Sequence, residues 1–488
     1  MALRRSRIVN LARLGSSTAS KQSIVRQVEE LFPIWRANRQ RMMVIDAWHR
    51  AALDENMLPI MPDKATHEFK KIREKSPTPW GFLIVNSMSQ VMVVDDIKMA
   101  DADKSAPAFR IWQRNLMDSR QIPLHNSMLT FGPAYNVVLP ATGRLDGEKT
   151  ASMRGKSALR ALGFYRDDFD EYPEFLLEGE EQRNSDGTIE WILVLTDDVA
   201  QHRLSCDLNG SNMKYIEDEP HGMDVCPVVR YCNSIDLDGR VVGEIAPFIS
   251  LFGRIDQDTQ DRLVVQRFGA WAVRTIAGME TPATDADKQA ARIALGVGDF
   301  MVSPDPKTQF GSLPGTPLDG FIRSREADIR DLSAVSQVPA HQFLGLSDNA
   351  GAEGLAAADA SMYRKRDQRR TMAGESHEGS LRLAGYAAGI PEVARDFESR
   401  VHWKNTDTYS FQSLAQALGI LATQLGIPPE MLWAQLPDWT QLDTAQAKKL
   451  IEELQVAAQL DAEIAQQQAV EIAAAGRAAA GANPAAAQ

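Results

Sequence analysis

A long helical pattern beginning at Gly243 constrains the fold of this chain more than any other sequence feature. Its apolar residues recur at helical spacing as far as Gly278. They are Ile245, Phe248, Ile249, Phe252, Ile255, Leu263, Val264, Phe268 and Trp271. An uninterrupted helix over 244–278 would be about 45–50 Å long. That length exceeds what a single globular core usually buries, although Gly253 and Gly269 would allow a bend.

A second helical pattern returns after a compact insert. The insert, residues 279–315, combines one short helical pattern with two strand-like runs between prolines and glycines. The return helix is predicted over 316–339, and Pro339 ends it. A loop rich in glycine and short polar residues (340–351) then leads to a third helix, predicted over 352–389.

The flanking regions differ in character. Residues 1–25 form a basic arm that we predict to be flexible, with no acidic residue before Glu29. Residues 26–243 combine helical patterns with short strand-like runs and turns, which predicts an α+β domain. Residues 390–460 are predicted to be helical, whereas the Ala- and Gln-rich residues 461–488 are expected to be disordered. The predicted fold class is therefore α+β, mainly helical.

Within the α+β region the patterns separate into two kinds. Apolar residues at helical spacing predict helices over residues 24–60 and over Ala108–Phe131. Short runs rich in β-branched and aromatic residues follow over 131–231, separated by turn sequences such as Asn184-Ser185-Asp186-Gly187. We expect these runs to form β-strands.

Composition narrows the classes of function. The net charge is −12 at pH 7, whereas a protein that grips DNA through its phosphates usually carries a basic excess. The sequence contains no apolar run long enough to span a bilayer, so we expect no membrane partner. Three cysteines, Cys206, Cys226 and Cys232, cannot all pair within one chain and indicate a reducing compartment.

Sequence motifs of catalysis are missing. Neither H-E-x-x-H nor G-x-S-x-G occurs, and no two of the eight histidines are spaced at i,i+4. The run Gly374–Ser380 has the spacing of a phosphate loop, but it lacks the essential lysine and follows a helical pattern. We therefore predict no catalytic residue, no cofactor and no metal site.

Two charged clusters leave alternatives open. An acidic run between Asp167 and Glu181 could bind a divalent cation. A solvated acidic edge is favoured, because the spacing does not match a calcium loop. A basic cluster lies on the third predicted helix, at Arg364, Lys365, Arg366, Arg369 and Arg370. Two interpretations fit this cluster equally well. It could contact phosphates or a neighbour's acidic residues, or it could be an ordinary solvated helix face.

Several local motifs follow one another in an order that resembles a known family. In the N-terminal half they are Trp112-Gln113-Arg114-Asn115, Gly132-Pro133-Ala134-Tyr135, and Asp224-Val225-Cys226-Pro227-Val228-Val229 with Asn233. In the C-terminal half they are the segment Ile329 to Gly345, with its Ser-x-Val-Pro turn, and the segments Ala352 to Ala358 and Tyr363 to Arg366. Over residues 25–460 this order is similar to that of the portal proteins of long-tailed bacteriophages. One departure is that the loop at 340–351 carries neither Lys nor Arg.

The resemblance implies a portal fold of wing, stem, clip and crown. It assigns 26–243 and 352–389 to the wing, 244–278 and 316–339 to the stem, 279–315 to the clip, 340–351 to a tunnel loop, and 390–460 to the crown. The tunnel-loop residues expected to face DNA are His341, Gln342, Ser347, Asp348 and Asn349. The residues expected at the stem channel or at a subunit interface are Arg254, Asp256, Asp258, Asp261, Arg262, Arg267, Arg323 and Arg325.

The same resemblance implies the partners. The chain would form a homo-oligomeric ring of twelve copies at one capsid vertex of the virion, after assembly in the host cytoplasm. Double-stranded DNA would pass through without sequence specificity, held weakly by an acidic wall. The implied protein partners are the terminase large subunit, the head–tail adaptor, and the major capsid and scaffold proteins. Two alternatives remain: an α+β enzyme with an unrecognised acidic site, and another capsid assembly component.

Overall fold

The chain divides into two compact units in a computed structural model. One unit comprises Met1–Ala350 and Ala357–Lys404, and the other Gly351–Ala356 and Asn405–Gln488. The structure describes residues 20–63, 65–99, 105–269, 274–277, 307, 309–312, 316–345, 352–406, 411–433, 436, 439 and 441–481. Residues 1–19 of the predicted arm, and most of the insert predicted at 279–315, therefore lie outside the described residues.

Helices account for much of the chain up to residue 404. They are α1 (Lys21–Arg50), α2 (His67–Arg73), α3 (Trp80–Ser89), α4 (Ser105–Arg114), α5 (Met117–Phe131), α6 (Ile249–Gly269), α7 (Asp319–Ser336), α8 (Ala340–Leu344), α9 (Ala352–Ala388) and α10 (Pro391–Ala394). A 3-10 turn at Ala246–Phe248 precedes α6. Helix α9 has the extent that the sequence predicted for the third long helix.

Antiparallel strands supply the β part of the fold. They are β1 (Val94–Lys98), β2 (Pro133–Thr142), β3 (Lys149–Ser157), β4 (Ala161–Phe164), β5 (Phe175–Arg183), β6 (Ile189–Thr196), β7 (Ala200–Asp207), β8 (Lys214–Pro220), β9 (Val228–Cys232), β10 (Arg274–Ala277), β11 (Gln309–Ser312) and β12 (Arg400–Trp403). Sheets of order β3-β2-β9 and β4-β5-β6-β7-β8 are accompanied by the pairs β1-β12 and β10-β11. The predicted α+β class is confirmed.

Helix α1 closes one face of the five-stranded sheet. The side chain of Ser20 accepts a hydrogen bond from the Ser23 backbone and caps the helix at its start. The buried face includes Trp35, whose ring meets that of Trp191 edge-on at 5.1 Å between centroids. Gly179 on β5 permits this approach, because a Cβ atom there would lie 2.4 Å from the Trp35 ring. The helix begins at Lys21, so residues 21–25 belong to it and not to the predicted arm.

The single helix predicted over Ala108–Phe131 is wrong, because the chain breaks into α4 and α5. Leu116 lies between them in the left-handed region, with φ 53°. The buried Asn115 explains the break: its amide donates to the carbonyls of Ile111 and Ala151 and accepts from Met153 N–H. These bonds hold the junction against β3, at the cost of helical continuity.

The first long helix is also shorter than predicted. Helix α6 ends at Gly269, and Arg274–Ala277 is a strand (β10) that pairs with β11. The β-branched residues Thr275 and Ile276 fit this pairing better than a helix. The predicted strand at the end of the insert is confirmed as β11, and the return helix α7 begins at Asp319.

The end of the first unit differs from the predicted boundary at residue 390. Strand β12 pairs with β1, so residues up to Lys404 belong to the first unit and not to a helical C-terminal domain. The second unit contains helices α11 (Phe411–Gln424), α12 (Pro429–Leu432) and α13 (Gln441–Gly481). Helix α13 continues twenty residues past Asp461, where we expected disorder. Alanine has the highest helix propensity, which accounts for this continuation.

Two further findings concern the cysteines and the apolar character of the helices. The three cysteines are free and buried. In the ranges that the structure describes, no helix combines the length and the apolar character needed to cross a membrane.

Candidate functional site

Helices α6 and α7 pack side by side and bring part of the predicted charged set together. Arg254 on α6 forms ion pairs with Asp328 at 2.8 Å and Asp331 at 3.2 Å on α7. Its side chain stays about half exposed. On the same surface, the Ser324 hydroxyl donates to the Asp258 carboxylate at 2.7 Å. These contacts tie the two helices along their exposed side.

Asp256 lies in the interior of the subunit, so the prediction that it faces a channel or a subunit interface is wrong. It is 1% exposed and accepts a hydrogen bond from Thr78 N–H at 3.1 Å. Burial raises the pKa of Asp256 to about 7, against the opposing effect of that hydrogen bond and of Arg325. Arg325 itself is half-buried, lies over the Trp80 ring and donates to the Thr259 hydroxyl at 3.1 Å.

The other predicted residues of this helix pair contact groups of the same chain or lie at the surface. Asp261 accepts a hydrogen bond from Gln257 at 3.1 Å, and Arg267 forms an ion pair with Glu68 at 3.4 Å. Arg262 is half-buried and Arg323 is exposed. Whether any of these residues lines a channel stays a prediction.

The loop after α1 is hydrogen-bonded to α6 through the backbone of Ile60. Ile60 N–H donates to the Gln257 side chain at 3.0 Å, and the Gln260 side chain donates to the Ile60 carbonyl at 3.0 Å. Arg73 of α2 in turn holds the same loop by donating to the carbonyls of Pro59 and Glu55, both at 2.7 Å. Helix α6 is thus fixed to the α+β part of the same chain.

Glu244 forms the centre of a buried ionic cluster that sequence reasoning missed. Its side chain is 4% exposed and accepts from Lys365, from Arg369 at 3.0 Å and from Asn233 at 3.0 Å. Lys365 also donates to the Ser336 carbonyl, at the end of α7, at 2.8 Å. Burial acts to raise the pKa of Glu244, but the two cations and the hydrogen bonds outweigh it and hold this pKa below its usual value. The cluster joins the entry to α6, the end of α7 and the middle of α9.

Most residues of the predicted basic cluster contact groups of the same chain. Lys365 and Arg369 neutralise Glu244, so they are neither a phosphate grip nor a solvated face. Arg370 donates to the carbonyls of Val91 and Lys404 and lies over the Trp403 ring. Arg366 is buried beside the Tyr363 ring, which leaves Arg364 as the exposed member of the five.

The predicted tunnel loop begins as a helix. His341 and Gln342 lie on α8, whose Phe343 packs against the Trp80 ring at 5.8 Å between centroids. His341 Nε2 is 3.7 Å from the Asp359 carboxylate, and Gln342 Nε2 is 3.8 Å from the Met362 sulfur. Ser347, Asp348 and Asn349 lie outside the described residues.

Five acidic residues of the run at 167–181 form ion pairs with basic residues of the same chain. The ion pairs are Glu171 with Arg382, Glu174 with Arg166, Glu178 with Lys156, Glu180 with Arg160, and Glu181 with Arg39. In the part of the chain that the structure describes, no group of three or more His, Cys, Asp or Glu side chains could hold a metal ion.

Two histidines that the sequence left unconnected meet in the core. His125 Nε2 lies 2.8 Å from His377 Nε2, and both rings are fully buried. His125 Nδ1 lies 3.0 Å from the Met92 carbonyl, which can only accept, so Nδ1 carries the proton and Nε2 accepts from His377. His377 Nδ1 then accepts from the Tyr231 hydroxyl at 3.0 Å, and that oxygen accepts from Ser380 at 3.0 Å. We call this chain from Ser380 to Met92 the histidine relay.

The histidine relay is neutral and has one direction of donation throughout. An added proton on His125 Nε2 would face the N–H of His377, and one on His377 Nδ1 would face the O–H of Tyr231. Protonation of either ring therefore sets two donors against each other. Burial lowers the pKa of His125 to about 4, and burial, reinforced by His125, lowers the pKa of His377 well below its ordinary value. The run Gly374–Ser380, which contains His377, is the middle of α9 and not a phosphate loop.

A family model matches most of the chain. The family model described as "Phage portal protein, SPP1 Gp6-like" matches residues 29–468. No curated protein matches the chain. Among solved structures, a chain of "Neck of native GTA particle computed with C12 symmetry" is similar, with a TM-score of 0.41 and 11% identity, over 78% of this chain and 94% of that chain.

Proposed function

The chain belongs to the phage portal protein family, and we propose that twelve copies form a ring at one capsid vertex through which double-stranded DNA passes. The match over residues 29–468 carries this proposal, since it takes in the whole helix–insert–helix arrangement. As a portal protein the chain is a component of the virion. In the proposal it has a structural role and no catalytic one, and it assembles in the host cytoplasm.

In this proposal helices α6 and α7 are the stem, and the residues between them are the clip. The strands β10 and β11 would begin and end the clip as a paired base. Residues up to 243, together with α9, would form the wing. The segment from 340 to 351 would be the tunnel loop, and the crown would begin after Lys404 instead of at residue 390.

A stem must keep its shape while a motor drives DNA through the ring. Three sets of contacts within one subunit support this role. The Ile60 backbone holds α6, and the Glu244 cluster joins α6, α7 and α9. The pairs from Arg254 to Asp328 and Asp331 tie the two helices on their exposed side. These ion pairs and hydrogen bonds would therefore transmit force on the stem helices to the wing.

The net charge of −12 supports passage of DNA without tight binding. Like charges repel, so phosphates would not be retained by an acidic ring, and the motor would pull against little friction. Because the sequence has no Walker motif, ATP would be hydrolysed in a partner, the terminase large subunit. The head–tail adaptor would take the same docking surface after packaging, and the major capsid and scaffold proteins would surround the ring.

Negative-stain electron microscopy with mass photometry tests the ring. We expect particles with a central hole and the mass of twelve chains of 53.9 kDa. The measurement is repeated at high protein concentration, because assembly depends on concentration. A uniform monomer or dimer at every concentration would contradict the ring and favour the enzyme alternative.

A deletion tests the clip separately. Removing residues 279–306 keeps both strands β10 and β11 and takes away what lies between them. We expect rings to form and binding of the terminase large subunit to be lost, measured by co-sedimentation of the ring with the purified motor. Loss of the ring itself would contradict the assignment of this segment to the clip.

A further inference from the structure

Arg262 and Arg325 come together where α6 packs against α7, and neither has an acidic partner. Arg325 Nε donates to the Thr259 hydroxyl at 3.1 Å, and Thr259 lies three residues before Arg262, on the same side of α6. Both arginines are half-buried, and the Nε atom of Arg262 is buried with no acceptor among the described residues. In the same described part of the chain, no carboxylate forms an ion pair with either arginine.

The surroundings of the two arginines do not compensate their charge. Burial lowers the pKa of Arg325, and Arg262 lowers it further, against the opposing effects of Asp256 and Glu326. Asp256 compensates only in part, because its own burial raises its pKa to about 7. The indole N–H of Trp80, on the ring that Arg325 covers, is buried and also has no acceptor in the described ranges. Two cations and a neutral donor therefore lie together without an anion.

Apolar side chains beside the arginines favour a protein partner over DNA. Ile322 lies three residues before Arg325 on the same side of α7 and is 42% exposed. Leu263, which follows Arg262, is only partly buried. An exposed apolar surface bordered by charged groups is typical of a protein interface, whereas DNA binds proteins mainly through phosphates. Arginine is also the cation that protein interfaces use most, since its guanidinium is weakly hydrated.

The proposed ring limits which carboxylates can reach the pair. The inference rests on that ring, in which rotation relates the copies and leaves equal residues at equal height along the axis. A neighbour's carboxylate must therefore lie within about one helical turn of Arg262 or Arg325 in the sequence of α6 or α7. Among the described residues, three acidic side chains meet this condition and form no ion pair shorter than 4.0 Å: Asp258, Asp261 and Glu326.

We propose that Arg262 and Arg325 of one subunit together bind a carboxylate of the neighbouring subunit, supplied by its Asp258, Asp261 or Glu326. A carboxylate has two oxygens and can accept from both guanidinium groups at once. One such group would offset the repulsion between the two cations and give Arg262 Nε an acceptor. Because this anion arrives only with the next copy, ring assembly depends on the pair.

Mass photometry of ring assembly tests the proposal with a double variant. R262Q/R325Q is compared with the wild type and with R323Q/R364Q, which removes two exposed arginines and therefore the same charge. We expect R262Q/R325Q to need at least about tenfold more protein before half of the chains are in rings, because truncating a buried charge pair weakens association. R323Q/R364Q should assemble at the wild-type concentration.

The outcomes separate this inference from the ring itself. A wild type that forms no ring at any concentration contradicts the proposed function and the inference together. Rings that form equally well in the wild type and in R262Q/R325Q overturn the inference alone. Weaker binding of a short DNA duplex by those rings would then assign the pair to phosphates. Urea denaturation of the monomers shows whether the double variant is folded.

A zero-length cross-link tests the contact in a variant that keeps its charge. Arg262→Lys supplies a primary amine, which a carbodiimide couples to a carboxylate in contact with it, with loss of water. Unlabelled and isotope-labelled chains are mixed before assembly, so that peptides of mixed label identify bonds between chains. We expect such a peptide to join the introduced amine to Asp258, Asp261 or Glu326 of another chain.

Arg364→Lys, at an exposed position of α9, is the matched control and should give no such peptide. If rings form and the amine introduced at position 262 is cross-linked only within one chain, or not at all, the inference is overturned. A bond to an acidic residue of another chain more than one turn away from the pair would overturn it as well, because a ring keeps equal residues at equal height.

Discussion

The Glu244 cluster and the histidine relay are two buried polar networks that each include residues of helix α9, and they compensate burial in opposite ways. In the Glu244 cluster, Lys365 and Arg369 compensate one carboxylate. In the relay, His125 and His377 stay neutral, and the donors and acceptors form one ordered chain. A buried charge persists only when it is paired, and a buried neutral group only when it is hydrogen-bonded.

The two solutions differ in what disturbs them. Removing one partner from the Glu244 cluster leaves a buried charge without compensation. The histidine relay contains no charge, but protonation of either histidine disrupts its hydrogen bonds. Since α9 depends on both, stability measurements can separate the two contributions, from the largest expected effect to the smallest.

Replacing Glu244 by Gln should have the largest effect. The variant keeps an acceptor for Asn233 but leaves Lys365 and Arg369 without their counter-charge. Breaking a buried pair in this way costs about 3–5 kcal/mol of unfolding free energy. Urea denaturation at pH 7 measures it, with Glu375→Gln as the control, because the contact of Glu375 with Arg400, at 3.6 Å, is exposed. Equal losses in the two variants would contradict a special role for the cluster.

Mild acid should weaken the relay before it affects the Glu244 cluster. The folded pKa of His125 is about 4, and an unfolded histidine titrates near 6.5, so below pH 6.5 the unfolded chain binds more protons. Stability contributed by the neutral histidine is therefore present above pH 6.5 and is lost as the pH falls towards 4, by about 2 kcal/mol between pH 6.5 and 5. The lowered pKa of Glu244 places its own loss at more acidic pH.

Denaturation midpoints measured from pH 7.5 to 5 test this, and His377→Gln should make the slope shallower. A control, His49→Gln, removes a half-buried histidine outside the relay. A wild-type stability that stays constant over this range would refute the neutral relay.

Tyr231→Phe should have a smaller effect at neutral pH. It removes the hydroxyl that donates to His377 Nδ1 and leaves that nitrogen and Ser380 without their partner. Because the ring and its packing remain, we expect a loss of about 1–2 kcal/mol, the usual cost of orphaned buried polar groups. Thermal denaturation at pH 7 measures it. Tyr386→Phe, which loses an exposed bond to Asp224, is the control and should change stability less.

Arg254→Gln should have the smallest effect on the isolated subunit. Its pairs with Asp328 and Asp331 are at the surface, where ion pairs contribute about 0–1 kcal/mol. A larger loss in monomeric protein would mean that the helix pair depends on this contact. Ring formation, followed by mass photometry in the same variant, then reports separately on any role of Arg254 between subunits.

The sequence predicted the order of the elements but not the partners of the charges. Apolar spacing over α6, α7 and α9 is a local signal, and it placed these helices within a few residues except where α6 gives way to β10. Break points such as Leu116 depend on the contacts of Asn115 with β3, which no local pattern contains. The positions of proline and glycine in the sequence do not identify these break points.

The buried networks were out of reach for the same reason. Glu244 lies 121 residues from Lys365, and His125 lies 252 residues from His377. Periodicity relates residues a few positions apart, so it gave Lys365 a helix face and left each histidine isolated. The one available signal was weak: Glu244 follows Gly243 at the start of a long apolar helix, where an acidic side chain close to the core needs a partner.

The pairing of β1 with β12 also has a consequence for synthesis of the chain. About 300 residues separate the two strands. At about 5–20 residues per second, a ribosome needs on the order of 15–60 s to reach β12 after it has made β1. Throughout that interval β1 lacks β12, the strand that pairs with it among the described residues. Many copies translated side by side could therefore exchange this strand between nascent chains, and slower initiation of translation during expression should raise the yield of correctly closed subunits.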